Sequence, residues 1–468
     1  MTLKQFADHL VDKGLPVLLD EHGKLSPLFI DAIVAAIENF DSKLLEALTA
    51  GLFKSDLGDV LSVLEEEQRL QLVALLGNKF DFSSLAEIDE SVKLPLMTVL
   101  APEVVAEGIM GLDTDNIVYI LEGVQEDEQS KILALIPRPK HDDIKKALRY
   151  PEQSAGRLMQ TTMVAIPSFW TVAQTVEYCR NDAHIPEEFY SIYVTDADSK
   201  LYGTVTLCQL LKTPAWVSIK SITNDSLHMI EAYEDREEAA YIFRHYSLIS
   251  LPVVDQHKRL LGVIMADDII DVVQEEVDED LRALVGLGDE EISASVIDIT
   301  RGRFVWLTVN LLTAFLSAAV ISFFEAVIKE VVALAVLAPI VTSQGGNAAT
   351  QTMTVAVRSI ATRELSWFNL GKFITREALV GLLNGTLFAI LIGTTVWFLY
   401  SNAELSVAVS SAIIINLLVG ALAGALFPLA VYKLNGDPAV VSGTFVTTVT
   451  DCVGFLAVLG IAALLFAA

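Results

Sequence analysis

Basic residues are scarce in this chain: 32 Lys and Arg stand against 60 Asp and Glu in 468 residues. So acidic a surface repels phosphate backbones, which argues against nucleic acid as a partner. Cysteine is scarcer still. Cys179, Cys208 and Cys452 lie far apart with no C-x-x-C spacing, which excludes a disulfide framework and a structural zinc site. The first thirty residues contain no apolar run of leader type and carry Asp8, Asp12, Asp20 and Glu21, so the N-terminus is expected to stay in the cytoplasm. No phosphate-binding loop, catalytic triad or metal-hydrolase motif occurs, and no enzyme is expected.

What the chain does have is unevenly spread. Residues 1–300 hold 53 acidic and 24 basic side chains, whereas residues 301–468 hold seven and eight. The second part is an oily sequence with five apolar stretches of about 20 residues or more. They are Phe304–Ile328, Val331–Ile360, Ala378–Tyr400, Leu405–Tyr432 and Pro438–Ala468. Read as five membrane spans with the N-terminus inside, they leave the C-terminus outside and place seven of the eight basic residues on the cytoplasmic side; Lys329 is the exception.

The acidic part divides again. Residues 1–137 read as short amphipathic helices, with Asp56–Leu61 and Leu72–Leu76 echoed by Asp115–Ile120 and Ile132–Ile136. Pro137 and Pro139 are expected to end that domain. A sharper repeat follows. Tyr193-Val194-Thr195-Asp196, then Gly203-Thr204-Val205-Thr206, recurs 59 residues later as Pro252-Val253-Val254-Asp255 and Gly262-Val263-Ile264-Met265. Each copy predicts a hairpin leading into a helix, and the pair resembles tandem cystathionine-β-synthase-type (CBS) domains, at 138–218 and 219–277. A connecting helix over 278–302 and an all-helical transmembrane domain over 303–468 complete the expected architecture. The fold class is thus an all-α acidic superhelix, an α/β tandem and a five-helix membrane domain.

Two constellations could carry chemistry. Between Leu260 and Leu281 lie eight acids and no Lys or Arg: Asp267, Asp268, Asp271, Glu275, Glu276, Asp278, Glu279 and Asp280. Like charges at i,i+4 repel by roughly 0.2–0.5 kcal/mol per pair on a helix, so the stripe invites a hard divalent cation; a solvated acidic face is the plain alternative. Asp113, Asp115, Asp235 and Glu237 are further candidates. In the oily part, Asp451 sits mid-span behind Thr447, Thr448 and Thr450, where a charge is costly and implies function. Ser343-Gln344-Gly345-Gly346-Asn347, followed by Thr350-Gln351, is expected to break its span and expose carbonyl oxygens. Close helix packing is the alternative, as for Gly420 and Gly424 at GxxxG spacing. With all seven histidines in residues 1–300, a path of carboxylate, hydroxyl and carbonyl oxygens suits Mg²⁺ or Ca²⁺.

These pieces, in this order, resemble the MgtE family of magnesium channels over nearly the whole chain. The local matches are Arg149-Tyr150-Pro151-Glu152-Gln153-Ser154-Ala155-Gly156-Arg157-Leu158-Met159, then Gly345-Gly346-Asn347 with Thr350, Gln351 and Arg358, and Asp437-Pro438-Ala439 with Thr447 and Asp451. The resemblance implies a homodimer in the lipid of the cell (inner) membrane, with a pore on the two-fold axis. Asp451, Thr447, Asn347, Gly345, Gly346 and Thr350 would serve the ion there. It implies that cytoplasmic Mg²⁺ closes the pore through Asp113, Asp115, Asp235, Glu237, Asp268, Asp271, Glu276, Glu279 and Asp280, and it leaves room for ATP at the CBS pair. Tyr119 and Ser247 depart from its sensor acids, and Gly443 and Thr350 from its pore asparagines. A membrane-anchored sensor without transport and a coupled exchanger stand as alternatives to the channel.

Overall fold

The computed structural model describes residues 14–20, 22–182, 185–186, 189–225, 228–287, 296–366 and 368–466. The chain forms two compact units, residues 1–274 and 275–468.

Among the described residues the first unit begins with nine short α-helices: α1 Pro27–Glu38, α2 Ser42–Thr49, α3 Lys54–Val63, α4 Glu66–Leu76, α5 Glu90–Val99, α6 Pro102–Ile109, α7 Thr114–Leu121, α8 Glu126–Ala134 and α9 Arg138–Ala147. The two echoed segments are helix pairs, α3–α4 and α7–α8. One core, from Leu18 to Ala147, serves them all. The domain therefore does not end at Pro137 and Pro139. Pro139 occupies the first turn of α9, where its missing N–H is no loss, and Ile144 and Ala147 are buried in the same core. Those prolines start a helix.

Each α/β copy contains one strand and one helix more than its hairpin. In the first, β1 Ala165–Pro167, α10 Val172–Asn181, β2 Ser191–Thr195, β3 Leu201–Thr206 and α11 Leu207–Lys212 follow in order. In the second, β4 Ile230–Glu231, α12 Arg236–Tyr246, β5 Ser250–Val254 and β6 Leu260–Met265 lead into the long helix α13 Ala266–Leu284. Both sheets pair the first strand parallel and the third antiparallel to the middle one. The hairpin turns match atom for atom. Asp196 Oδ1 accepts from the N–H groups of Asp198 and Lys200 at 2.9 and 2.8 Å, and Asp255 Oδ1 from those of His257 and Arg259 at 2.8 Å each. Gly203 and Gly262 let a neighbouring carbonyl oxygen, of Asn224 or Gln160, come within 2.6 Å of where a Cβ would stand. Tyr193, Leu201, Val254 and Val263 form a core shared by both copies.

The second unit contains five long helices among its described residues: α14 Val296–Phe323, α15 Ala333–Ala361, α16 Leu370–Tyr400, α17 Ala403–Lys433 and α18 Pro438–Phe466. Four of them (Ile299–Phe323, α16, α17 and α18) are long and apolar enough to cross a membrane. The fourfold result differs from the expected five because α15 carries Ser343, Gln344, Asn347, Thr350, Gln351, Thr352 and Thr354. The expected connecting helix over 278–302 lies partly outside the described residues. Residues up to Leu284 continue α13, Gly286 turns the chain at φ 74°, residues 288–295 lie outside the described residues, and α14 begins at Val296.

Candidate functional site

In the first unit the structure brings together acids from helices remote in sequence. The charge of Asp115, in the first turn of α7, acts on Asp268, in the first turn of α13, and those of Asp113 and Asp267 add to it, although among the described residues no three acids converge closely enough to form a ready-made metal site. Asp115 Oδ1 is sealed from solvent and has no hydrogen-bond partner. Burial foremost, then the charge of Asp115 and Asp267, pushes the Asp268 carboxyl up to about 8. Burial also raises Asp115, to about 6, although backbone N–H groups oppose it. Asp271 is raised by burial and by Glu87. Buried carboxylates that resist ionisation hold free energy which a divalent cation would release.

Asp235 and Glu237 are placed differently. Asp235 caps α12, its Oδ1 accepting from the Glu237 N–H at 2.8 Å, and both are exposed. Asp113 precedes α7 and is exposed. Tyr119 lies under the Lys93 ammonium at 4.2 Å from the ring centroid, and its carbonyl accepts from Lys93 Nζ at 2.6 Å. Ser247 ends α12 in the left-handed conformation. Glu87 joins the Asp268 group unannounced by any motif, since it lies between two helices of the superhelix.

The second unit holds its own acid group. Asp280 is pushed up to about 6 by burial and by Asp437, Glu276 and Glu279, with Arg358 opposing. Asp437 also opens α18, accepting from the Ala439 N–H at 2.8 Å. The signal for Asp437 was there, an acid directly before a proline that starts a helix. Nearby, Ala283, Ala349, Met353, Val357, Ala439 and Val446 pack as one apolar cluster, and the Leu284 carbonyl oxygen stands 2.8 Å from where a Cβ on Gly443 would be. The end of α13 is thereby wedged against α15 and α18. Beside it is a cavity of about 290 Å³ lined by Arg303, Trp306 and Asn310 of α14, Thr350 of α15, and Gly443 and Thr447 of α18. Thr350 and Thr447 share this cavity. Asp451 lies one turn beyond Thr447, half-buried, and Asn347 is exposed on α15.

Gly345 and Gly346 do not break their helix. α15 runs through them unbroken, and the Gly346 carbonyl accepts from Thr350 Oγ1 at 2.9 Å. The expected break in this span is thus absent. Gly345 serves packing: a Cβ on it would strike the Asn416 side chain of α17, one on Gly420 would stand 2.7 Å from the Gly345 oxygen, and one on Gly424 would strike the Ala349 oxygen, whereas Gly346 meets only Thr450 Oγ1 at 3.8 Å. Asn416, wholly buried, donates from Nδ2 to the Val341 carbonyl at 2.9 Å. Glu377 of α16, which no motif flagged, is also buried. Its Oε2 accepts from Thr352 Oγ1 at 3.2 Å and its Oε1 from Arg376 at 2.9 and 3.1 Å.

Profiles of known families match along the chain. The MgtE intracellular N domain matches residues 52–153, the CBS domain 219–275, and MgtE, described as a divalent cation transporter, 338–461. The magnesium transporter MgtE of Enterococcus faecalis is 33% identical over 322 residues, covering 69% of this chain and 71% of that one. The chain belongs to the MgtE family. The MgtE of Bacillus subtilis is 27% identical over 87% of this chain and 90% of its own, and that of Thermus thermophilus 28% over 92% and 100%. MgtE proteins are magnesium transporters, and with its apolar helices this member is a multi-pass membrane protein.

Proposed function

We propose that this MgtE protein is a homodimeric Mg²⁺ channel that takes the ion up along its electrochemical gradient and is closed by cytoplasmic Mg²⁺. The observation that carries the reading is the end of α13. That helix bears the acids and ends wedged against α15 and α18, beside the cavity that holds Thr350 and Thr447. Mg²⁺ bound by Asp280, Asp437, Glu276 and Glu279 would clamp the wedge in place, and Mg²⁺ at Asp115, Asp268 and Asp271 would hold the other end of α13. Losing those ions leaves like charges to repel, and the wedge is released. Asp113, Asp235 and Glu237 would contribute from the edges.

α15 is the fifth span in this reading. Ser343, Asn347, Thr350 and Thr354 make an exposed polar stripe on it, which lipid does not tolerate and which a water-filled path on a dimer axis would accept. Asp451 from each copy then faces the path. Mg²⁺ keeps most of its water and is held by one or two carboxylates, so two carboxylates across an axis favour a hydrated divalent ion over a monovalent one. Uptake needs no pump: one charge crossing 100 mV gains ~2.3 kcal/mol and a divalent ion about twice that. The basic residues flanking the spans support a cytoplasmic N-terminus and an outer C-terminus. In the CBS pair, a cavity of about 270 Å³ offers the rings of Tyr150 and Tyr233, centroids 5.1 Å apart, with Glu231 and Asp255. It fits an adenosine, base against ring and ribose hydroxyls to carboxylate. Among its lining residues is no Lys or Arg, so the phosphates of ATP would lie outside.

Mg²⁺ flux into liposomes tests the channel. Asp451→Asn keeps the side-chain shape and removes the charge; a correctly assembled dimer, checked by chromatography, should lose nearly all flux. Wild-type flux through that variant would sink the proposal, and a wild type that passes no Mg²⁺ would point to a membrane-anchored sensor.

A further inference from the structure

The Asp267–Asp271 turn of α13 meets a basic side chain from the helical superhelix. Lys54 opens α3, and its Nζ lies 2.7 Å from Glu87 Oε1, with the Lys54 side chain half exposed. Burial alone would weaken this ammonium's hold on its proton, but the bond to Glu87 and the charges of Glu87, Asp267 and Asp268 outweigh it. Lys54 likewise acts on Asp268 and Asp271. One ammonium thus pairs with Glu87 and acts on Asp267, Asp268 and Asp271, with Asp115 on the far side of Asp268's charge. It does not answer them all, since Asp115 Oδ1 remains sealed and unpartnered.

An ammonium on a four-carbon stem is a compact point charge with rotatable donors. Sitting at the first residue of a helix, it can swing out to solvent without unwinding that helix. A hard cation arriving at Asp115 and Asp268 must therefore either displace the ammonium or accept a like charge beside it. We propose that Lys54 is a tethered competitor cation that sets the Mg²⁺ concentration at which the Asp115–Asp268 cluster fills. The proposal rests on the reading of that cluster as a divalent-ion sensor. Lys54 partly neutralises the empty cluster, so the acids tolerate one another at low Mg²⁺. The same charge weakens the filled state, which keeps the sensor from saturating too early. A unit charge several ångströms from a divalent ion, screened at the dielectric of water that a half-exposed side chain meets, should alter divalent affinity on the order of three- to tenfold.

The test is limited proteolysis of the full-length protein in detergent by chymotrypsin, which leaves lysine alone, across Mg²⁺ concentrations at constant ionic strength. Lys54→Met should move the midpoint of Mg²⁺ protection three- to tenfold lower. Lys54→Glu, which adds a carboxylate, should move it further, and Lys329→Met should leave it unchanged. Lys54→Gln reads the same shift if the Met variant fails to fold. An unchanged midpoint in the Lys54 variants, with Mg²⁺ protection intact, overturns the competitor role and leaves the sensor standing. A midpoint moved to higher Mg²⁺ overturns it too, since Lys54 would then be holding the helices together. If Mg²⁺ protects no part of the wild-type protein, the sensor reading fails and takes this proposal with it.

Discussion

Two buried carboxylates, Glu377 in the second unit and Asp115 in the first, are treated in opposite ways. In the membrane unit, Glu377 is answered at both oxygens, by Thr352 and by the guanidinium of Arg376. In the first unit, the charge of Asp115 acts on Asp268 from another helix, and Asp115 Oδ1 finds no partner. A satisfied buried charge fixes a structure, and its removal disturbs packing. An unsatisfied one is a demand on the solution, and it makes the fold respond to cations and to protons. The surroundings of Glu377 are accordingly expected to be sensitive to shape, and those of Asp115 and Asp268, like those of Asp280 in the second unit, to the medium.

The largest effect that could break this contrast is a change of shape in the membrane unit. A Cβ on Gly424 would strike the Ala349 carbonyl oxygen and come within 3.1 Å of Thr352 Cβ. Backbone does not yield cheaply, so Gly424→Val should cost at least the ~1–3 kcal/mol typical of overpacking. Thermal unfolding in detergent should show a lowered midpoint that Mg²⁺ does not restore; a variant that melts like the wild type would show that α15 and α17 are not held by this contact.

The next effect belongs to the medium. A carboxyl ordinarily titrates near 3.8, whereas Asp115 does so at about 6 and Asp268 at about 8 in the fold. The folded state therefore binds more protons than the unfolded chain. Stability is greatest at low pH and is lost as pH rises through about 6 and then about 8. Without divalent ions, resistance of the first unit to chymotrypsin should fall between pH 5 and pH 8.5, and Mg²⁺ should restore it by favouring the ionised forms. Asp268→Asn should flatten that dependence; an unaltered slope in the variant would place its origin elsewhere.

The smallest effect sharpens the contrast from the other side. Lys329 and Glu325 form an ion pair at 2.6 Å, four residues apart and largely exposed. Lys329→Ala should shift stability by no more than about 0.5 kcal/mol, at any Mg²⁺ concentration. A loss several times larger, measured by the same thermal unfolding, would mean that an exposed pair in this unit is coupled to its core.

Repetition and composition made much of this molecule legible without coordinates. The turn aspartates Asp196 and Asp255 and the glycines Gly203 and Gly262 recur 59 residues apart, because each acts on its own hairpin and a local device leaves a local signature. Four apolar helices of the second unit followed from composition alone, since length and hydropathy are properties of each helix by itself. The acidic turns of α13 were visible for the same reason, as a charge pattern within one helix. Which acids meet was not visible. Asp115 finds Asp268 across more than 150 residues, and Glu87 and Lys54 join them from two other turns of the superhelix. Gly345 and Gly346 read alike as a break and as a packing surface, and the deciding partner, Asn416 with Gly420 and Gly424, lies on another helix some seventy residues away. The sequence by itself determined the elements, since propensity, period and polarity act between near neighbours. The tertiary structure alone decided which charges share a space and which glycines face a backbone, because those energies depend on distances that only the folded chain creates.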